Sequence, residues 1–205
     1  MNPVPYPAAL AMWLAMTGVM MAPILLPWLR ALRRLAPPRE AAAGRRRTVL
    51  VTYFAAGYAA AWAAFSAAAA GLQVSLAALE IPVPFGLDAP AFTASALMLA
   101  GGFQFTPFKA ACLSRCRSPA GYLLARWRGG ASGHLRMGLG HGLDCVGCCW
   151  ALMALALVVG MAGLVWMGLL MAVMVGETTL PRGSRITRPI GAALITAGAV
   201  VLVGA

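Results

Sequence analysis

Charge is scarce in this chain. Asp, Glu, Lys and Arg make up only 10% of its 205 residues, whereas a soluble domain carries roughly a quarter. Together with 61% hydrophobic residues and a mean hydropathy of +0.82, that shortage excludes an ordinary soluble fold. It points to one integral membrane domain over residues 1–205, because a helix needs about 20 apolar residues to cross a bilayer. Signatures of nucleotide and hydrolytic chemistry are missing as well. No GxxxxGK, GxSxG or HExxH occurs, serines are few, and no Ser/His/Asp set is suggested. The expectation is a protein that is not an enzyme.

Acidic residues are rarer still, five against 16 Lys and Arg, which leaves a formal charge of +11. In a soluble protein that excess would suggest nucleic acid. Here the cations fall only between apolar runs: seven from Arg30 to Arg47, six from Lys109 to Arg136 and three from Arg182 to Arg188. Short basic loops beside spans mark the cytoplasmic side, so the charge encodes orientation and no nucleic-acid partner is expected. Cations are absent between Gly71 and Pro90, a segment that holds Glu80 and Asp88, and again from Gly138 to Gly176.

Those patterns predict an all-α, polytopic transmembrane bundle of about six spans. They cover approximately 8–29, 48–70, 91–112, 140–159, 162–177 and 189–205. Both termini are then non-cytoplasmic, as are the acidic segment and a turn near Gly160. The first span has no cationic n-region and no small-residue cleavage site, and reads as retained. Pro23 and Pro27 are expected to kink or end it, and Gly101, Gly102 and Pro107 interrupt the third. The alanine-rich second span suits close helix contact. The setting is a cytoplasmic membrane, with the lipid bilayer as the first partner.

Five cysteines occur, and this topology places all of them at the cytoplasmic side, where thiols stay reduced. Cys112 and Cys116 stand at i, i+4. In the segment from Gly138 to Met153, His141, Cys145 and Cys149 fall at successive i, i+4 steps on one helical face, flanked by Cys148. Two helix ends returning to the same membrane face can converge on one ion. Thiolates select Cu(I), zinc or iron–sulfur clusters, and imidazole suits copper and zinc. Free cysteine is also a small buried hydrophobe, and any one of these alone reads that way.

Met12, Met16 and Met20 share one face of the first span, with Met21 beside them. As secondary thioether donors they tilt the choice toward copper, although methionine at helical spacing also serves as core filler. Asp144, within the cysteine cluster, and Glu177 are boundary carboxylates. Either acts as a ligand or proton acceptor, or pairs with Lys109 or a nearby arginine. His134 is expected to be solvated in the basic loop, and the six tryptophans to anchor span ends at the interface.

Several of these stretches carry a resemblance. WLAMTGVMMAPILLP from Trp13 to Pro27, AGGFQFTPFKAACLSRCRSP from Ala100 to Pro119, and GHGLDCVGCCWALM from Gly140 to Met153 are similar to a bacterial family of predicted metal-binding integral membrane proteins, some described as copper chaperones. GMAGLVWM from Gly160 to Met167, with Glu177 beyond it, also fits. Val19 stands where the family usually has alanine. Asp144 occupies a position that commonly carries a larger polar or aromatic residue. The resemblance implies copper handling in a bacterial inner membrane, with Cys112, Cys116, His141, Cys145, Cys148 and Cys149 at the motif positions.

Three functions follow as expectations. One is binding or delivery of Cu(I), or of zinc in its place, through the Cys/His cluster toward a cuproenzyme. The second is a structural or assembly subunit of a larger membrane complex. The third is a thiol oxidoreductase using Cys145 and Cys148 as a CxxC pair.

Overall fold

A computed structural model describes residues 4–36, 44–78, 90–159, 163–180 and 183–204. The acidic segment with Glu80 and Asp88, the turn at Gly160, and Arg39 and Arg182 lie outside them. Among the described residues the chain is all-helical. Its elements are α1 (Tyr6–Leu35), α2 (Gly44–Ala78), α3 (Pro90–Phe103), α4 (Pro107–Cys116), α5 (Pro119–Arg126), α6 (Gly130–Val159), α7 (Leu164–Thr179) and α8 (Gly183–Val203).

Four helical stretches are long and apolar enough to cross a membrane: Tyr6–Leu35, Thr48–Ala78, Gly130–Ala156 and Arg185–Val203. Two shorter apolar helices, Pro90–Phe103 and Val165–Thr179, accompany them. Their outward faces are apolar: Val19, Leu99, Val165, Val200 and Val203 are all exposed. A surface of that kind is expected where hydrocarbon takes the place of water.

Several helices extend beyond the expected spans. α1 runs through both prolines to Leu35, because Ile24, Trp28 and Leu32 bury one face of its second half and hold the helix past residues that would otherwise end it. α8 begins at Gly183 rather than near residue 189, with Pro189 inside it. α6 begins at Gly130 rather than near 140, so the stretch expected as a polar loop is its first turns. Gly130 takes φ 77° to turn the chain there, a conformation that a side chain would resist. His134 is consequently not solvated. It is fully buried, with Nδ1 2.8 Å from the Gly130 carbonyl and its ring edge-on to Trp127.

The third apolar run breaks in two. After α3 the chain turns at Gln104 and Phe105. Thr106 then caps α4, its hydroxyl accepting from the Lys109 amide at 3.2 Å, and Pro107 occupies the first turn. Proline there costs nothing, since that amide has no helical partner, and it keeps Thr106 extended. The break frees α4 to change direction and lay its cysteines against α6.

α6 is the central element, packed on α2, α3, α4 and α7, while α1 lies along α2 and α8 along α3. Glycines permit the closest approach. A Cβ on Gly57 would meet the backbone of Leu135 and Leu139, and one on Gly138 the Phe54 carbonyl, the small-residue packing expected between membrane helices. Hydrogen bonds tie α1 to α2: Trp13 Nε1 donates to Gln73 Oε1 at 2.8 Å, and the Thr17 and Ser66 hydroxyls lie 3.0 Å apart. Trp13, Trp28 and Trp62 are therefore core residues rather than interfacial anchors, whereas Trp150 and Trp166 keep exposed faces.

Candidate metal centre

α6 carries four of the expected donors on its inward side. His141, Cys145, Cys148 and Cys149 are each at most 1% exposed. α4 brings Cys112 and Cys116 up against it, also buried, and all five thiols are free. The closest convergence is a trio: the sulfurs of Cys116, Cys145 and Cys148 all lie within 4.8 Å of one another. Cys148 Sγ is 3.8 Å from Cys116 Sγ and 3.3 Å from Cys149 Sγ, and it donates to the Cys145 carbonyl at 3.2 Å. Cys149 thus adjoins the trio. Cys112, buried on the same helix as Cys116, is not among the three that converge; its sulfur is 2.9 Å from where a Cβ on Gly147 would stand. A side chain at position 147 would displace Cys112.

Two ion pairs link α4, which carries Cys112 and Cys116, to its neighbours. Asp144 Oδ1 accepts from Arg115 Nη1 at 2.8 Å, tying α6 to α4 on a half-open side. Lys109 Nζ and Glu177 Oε2 are 2.8 Å apart with both side chains buried, tying α4 to α7. Both boundary carboxylates therefore have cationic partners, as the sequence allowed.

A family model described as PpoB2, copper chaperone, matches residues 10–201. The chain belongs to this copper chaperone family. No curated protein and no solved structure matches it.

In a member of a copper chaperone family, a buried trio of thiols is a donor set suited to a soft ion. Ligand sulfurs about 2.3 Å from one metal ion stand about 4 Å apart, so the spacing of Cys116, Cys145 and Cys148 needs little change to close on one. The surroundings are soft as well. Met16, Met20, Met21, Met153 and Met174 are buried in the same apolar core as the cysteines, and Met12 packs against it half-buried. Of the expected thioether donors, Met16 and Met20 thus reach the core and Met12 its margin.

His141 is placed differently from the sulfur trio. Its ring stacks on Trp28 at 3.5 Å between centroids, with Tyr58 at 5.2 Å, and neither ring nitrogen has a hydrogen-bond partner. Tyr58 connects it to the sulfurs, since its hydroxyl lies 3.3 Å from Cys145 Sγ. Tyr122 closes the box edge-on to Trp28. Burial pushes the Tyr122 hydroxyl up from its ordinary value, against the pull of Arg126, so it remains protonated and donates to the Met137 carbonyl at 3.4 Å.

Sequence reasoning missed Tyr58 and Trp28. The signal for Tyr58 was available, because Phe54, Tyr58 and Trp62 repeat at i, i+4 and i+8 on the face of α2 that also carries Gly57. Nothing local marks Trp28 as the stacking partner of a histidine far along the chain.

Proposed function

We infer that this chain is an integral membrane chaperone that accepts Cu(I) as its cargo on Cys116, Cys145 and Cys148 and hands it on toward a cuproenzyme. The observation that carries this reading is the meeting of three sulfurs from two helices within 4.8 Å. Binding replaces thiol protons with the ion. Thiolates and thioethers hold Cu(I) in preference to harder ions, and the methionines of the surrounding core favour copper over zinc.

Release proceeds by exchange. An incoming sulfur bonds to the ion before an outgoing one leaves, which needs neither a nucleotide nor an oxidant. Cys149, with its sulfur 3.3 Å from that of Cys148, is placed to be the first such sulfur. Cys112 and His141 are further donors for intermediate positions. Burial of the thiols suits a small ion better than a protein disulfide partner, which needs an accessible thiolate.

The reading includes the membrane setting: six crossings of a bacterial inner membrane, both termini outside, and the Cys116 end of α4 and the first turns of α6 facing the cytoplasm. The charge distribution supports it, because every basic segment then lies on one side.

Metal content decides between the readings. Protein purified from copper-supplemented cells under reducing conditions is expected to carry stoichiometric copper, measured by plasma mass spectrometry. The triple variant Cys116→Ser, Cys145→Ser, Cys148→Ser is expected to lose it. Zinc in place of copper would overturn the choice of ion, and equal copper in both proteins would overturn the site.

A further inference from the structure

A cavity of ≈ 460 Å³ lies where the end of α5 faces the first half of α6. Arg126, Arg128 and Arg136 line it, all three exposed, and no Asp or Glu is among its described lining residues. The turn that presents the first two is held in place. Trp127, between them, packs edge-on against the buried ring of His134, and a Cβ on Gly133 would overlap the Arg128 carbonyl. The Arg126 guanidinium rests over the Tyr122 ring, 5.0 Å from its centroid.

Tyr122, Met137 and Gly140 also line the cavity, and they bring it up to the metal centre. Gly140 precedes His141 on α6. The Tyr122 ring is edge-on to Trp28, and its centroid lies 6.2 Å from that of His141. Besides burial and Arg126, Asp144 and Cys116 act on the Tyr122 hydroxyl, so both lie within its electrostatic reach.

Three guanidinium groups repel a bare Cu(I) ion, which is itself a cation. Held by two thiolates the ion carries one negative charge instead, and carboxylates on those thiols add more. Arginine matches a carboxylate in charge and in fork geometry.

We propose that this cavity receives Cu(I) as its complex with a small thiol that bears carboxylate groups, which Arg128 and Arg136 hold beside the metal centre. The inference rests on the copper reading above and names the form in which the cargo arrives. The volume falls within the range of about 300–1,000 Å³ typical of small-molecule sites. The receiving cysteines are buried, so the carrier stays docked until the seam between α4 and α6 parts. Each Cu–S bond to the carrier then breaks as one to Cys116, Cys145 or Cys148 forms. The freed carrier thiolate takes the proton that the cysteine gives up, copper stays Cu(I), and no oxidant is needed.

The test compares three copper sources for the full chain in a neutral detergent, with bound copper read at timed intervals by plasma mass spectrometry. They are Cu(I)–glutathione, Cu(I) with glutathione diethyl ester, in which the carboxylates are masked, and a Cu(I)–acetonitrile complex, which has no thiol. Wild type is expected to load from glutathione about tenfold or more faster than from the ester, a margin that shrinks as salt is raised. Arg128→Gln with Arg136→Gln is expected to erase that margin. The same variant is expected to load from acetonitrile at the wild-type rate, which also shows that it is folded. Arg33→Gln with Arg34→Gln removes as much charge from exposed positions at the end of α1 and is expected to keep the margin. Equal wild-type rates from the two thiols, or equal losses in the two arginine pairs, would overturn the proposal. A wild type that takes no copper from acetonitrile would instead overturn the copper reading on which it rests.

Discussion

Lys109 and Glu177 form an ion pair with 0% and 1% of their side chains exposed, a position neither charge would occupy alone. The attraction between them offsets the cost of taking both out of water only while both are present. Glu177→Ala or Lys109→Ala is therefore expected to destabilise the protein by about 3–5 kcal/mol. The double replacement with leucine, which leaves no unpaired charge, is expected to cost less than either single change. Denaturant titration followed by circular dichroism in micelles measures all three. Equal costs for the single and double variants would mean that the pair contributes packing rather than compensation. Asp144 differs from Glu177 in its partner: Arg115, half-exposed, holds its Oδ1, while its Oδ2 is buried without one.

Among the elements, α6 and α2 are held together by what their glycines omit. A Cβ at Gly138 would overlap the Phe54 carbonyl, whereas one at Gly18 of α1 would meet nothing within 4 Å. Gly138→Ala is expected to cost about 1–3 kcal/mol through forced separation of the helices. Gly18→Ala is expected to be neutral or stabilising by up to about 1 kcal/mol, from helix propensity alone. The denaturation midpoints of the two variants give the comparison, and equal midpoints would contradict the close packing.

These elements also mark where the sequence was legible. The i, i+4 spacing of His141, Cys145 and Cys149 placed them on one face before any fold was known, because helical periodicity is local. It did not separate the imidazole from the sulfurs. That separation depends on Trp28 and Tyr58, which reach the site from two other helices. The start of α6 was hidden because His134 and Arg136 look like loop residues by composition, and only packing against Trp127 and α2 turns that stretch inward. Gly101, Gly102 and Pro107 did announce an interruption. That it would redirect α4 onto the cysteines of α6 rests on long-range contacts that no short motif records.

At the scale of the whole molecule, the account joins a copper chaperone family, four helices able to cross a membrane, and a sulfur trio between α4 and α6. The proposed sidedness has its own test. Ala125 is exposed on α5, the helix that follows Cys116 in the chain. Ala125→Cys is expected to react with an impermeant maleimide only after the inner membrane is opened, against a background of native thiols that are buried. Labelling of intact spheroplasts would invert the topology.

The most direct measurement is X-ray absorption at the copper edge of the Cu(I)-loaded protein. The expected result is a first shell of sulfur alone that disappears in the Cys116→Ser, Cys145→Ser, Cys148→Ser variant. A shell dominated by nitrogen or oxygen, or a sulfur shell unchanged in that variant, would contradict the assignment of the trio as the copper site.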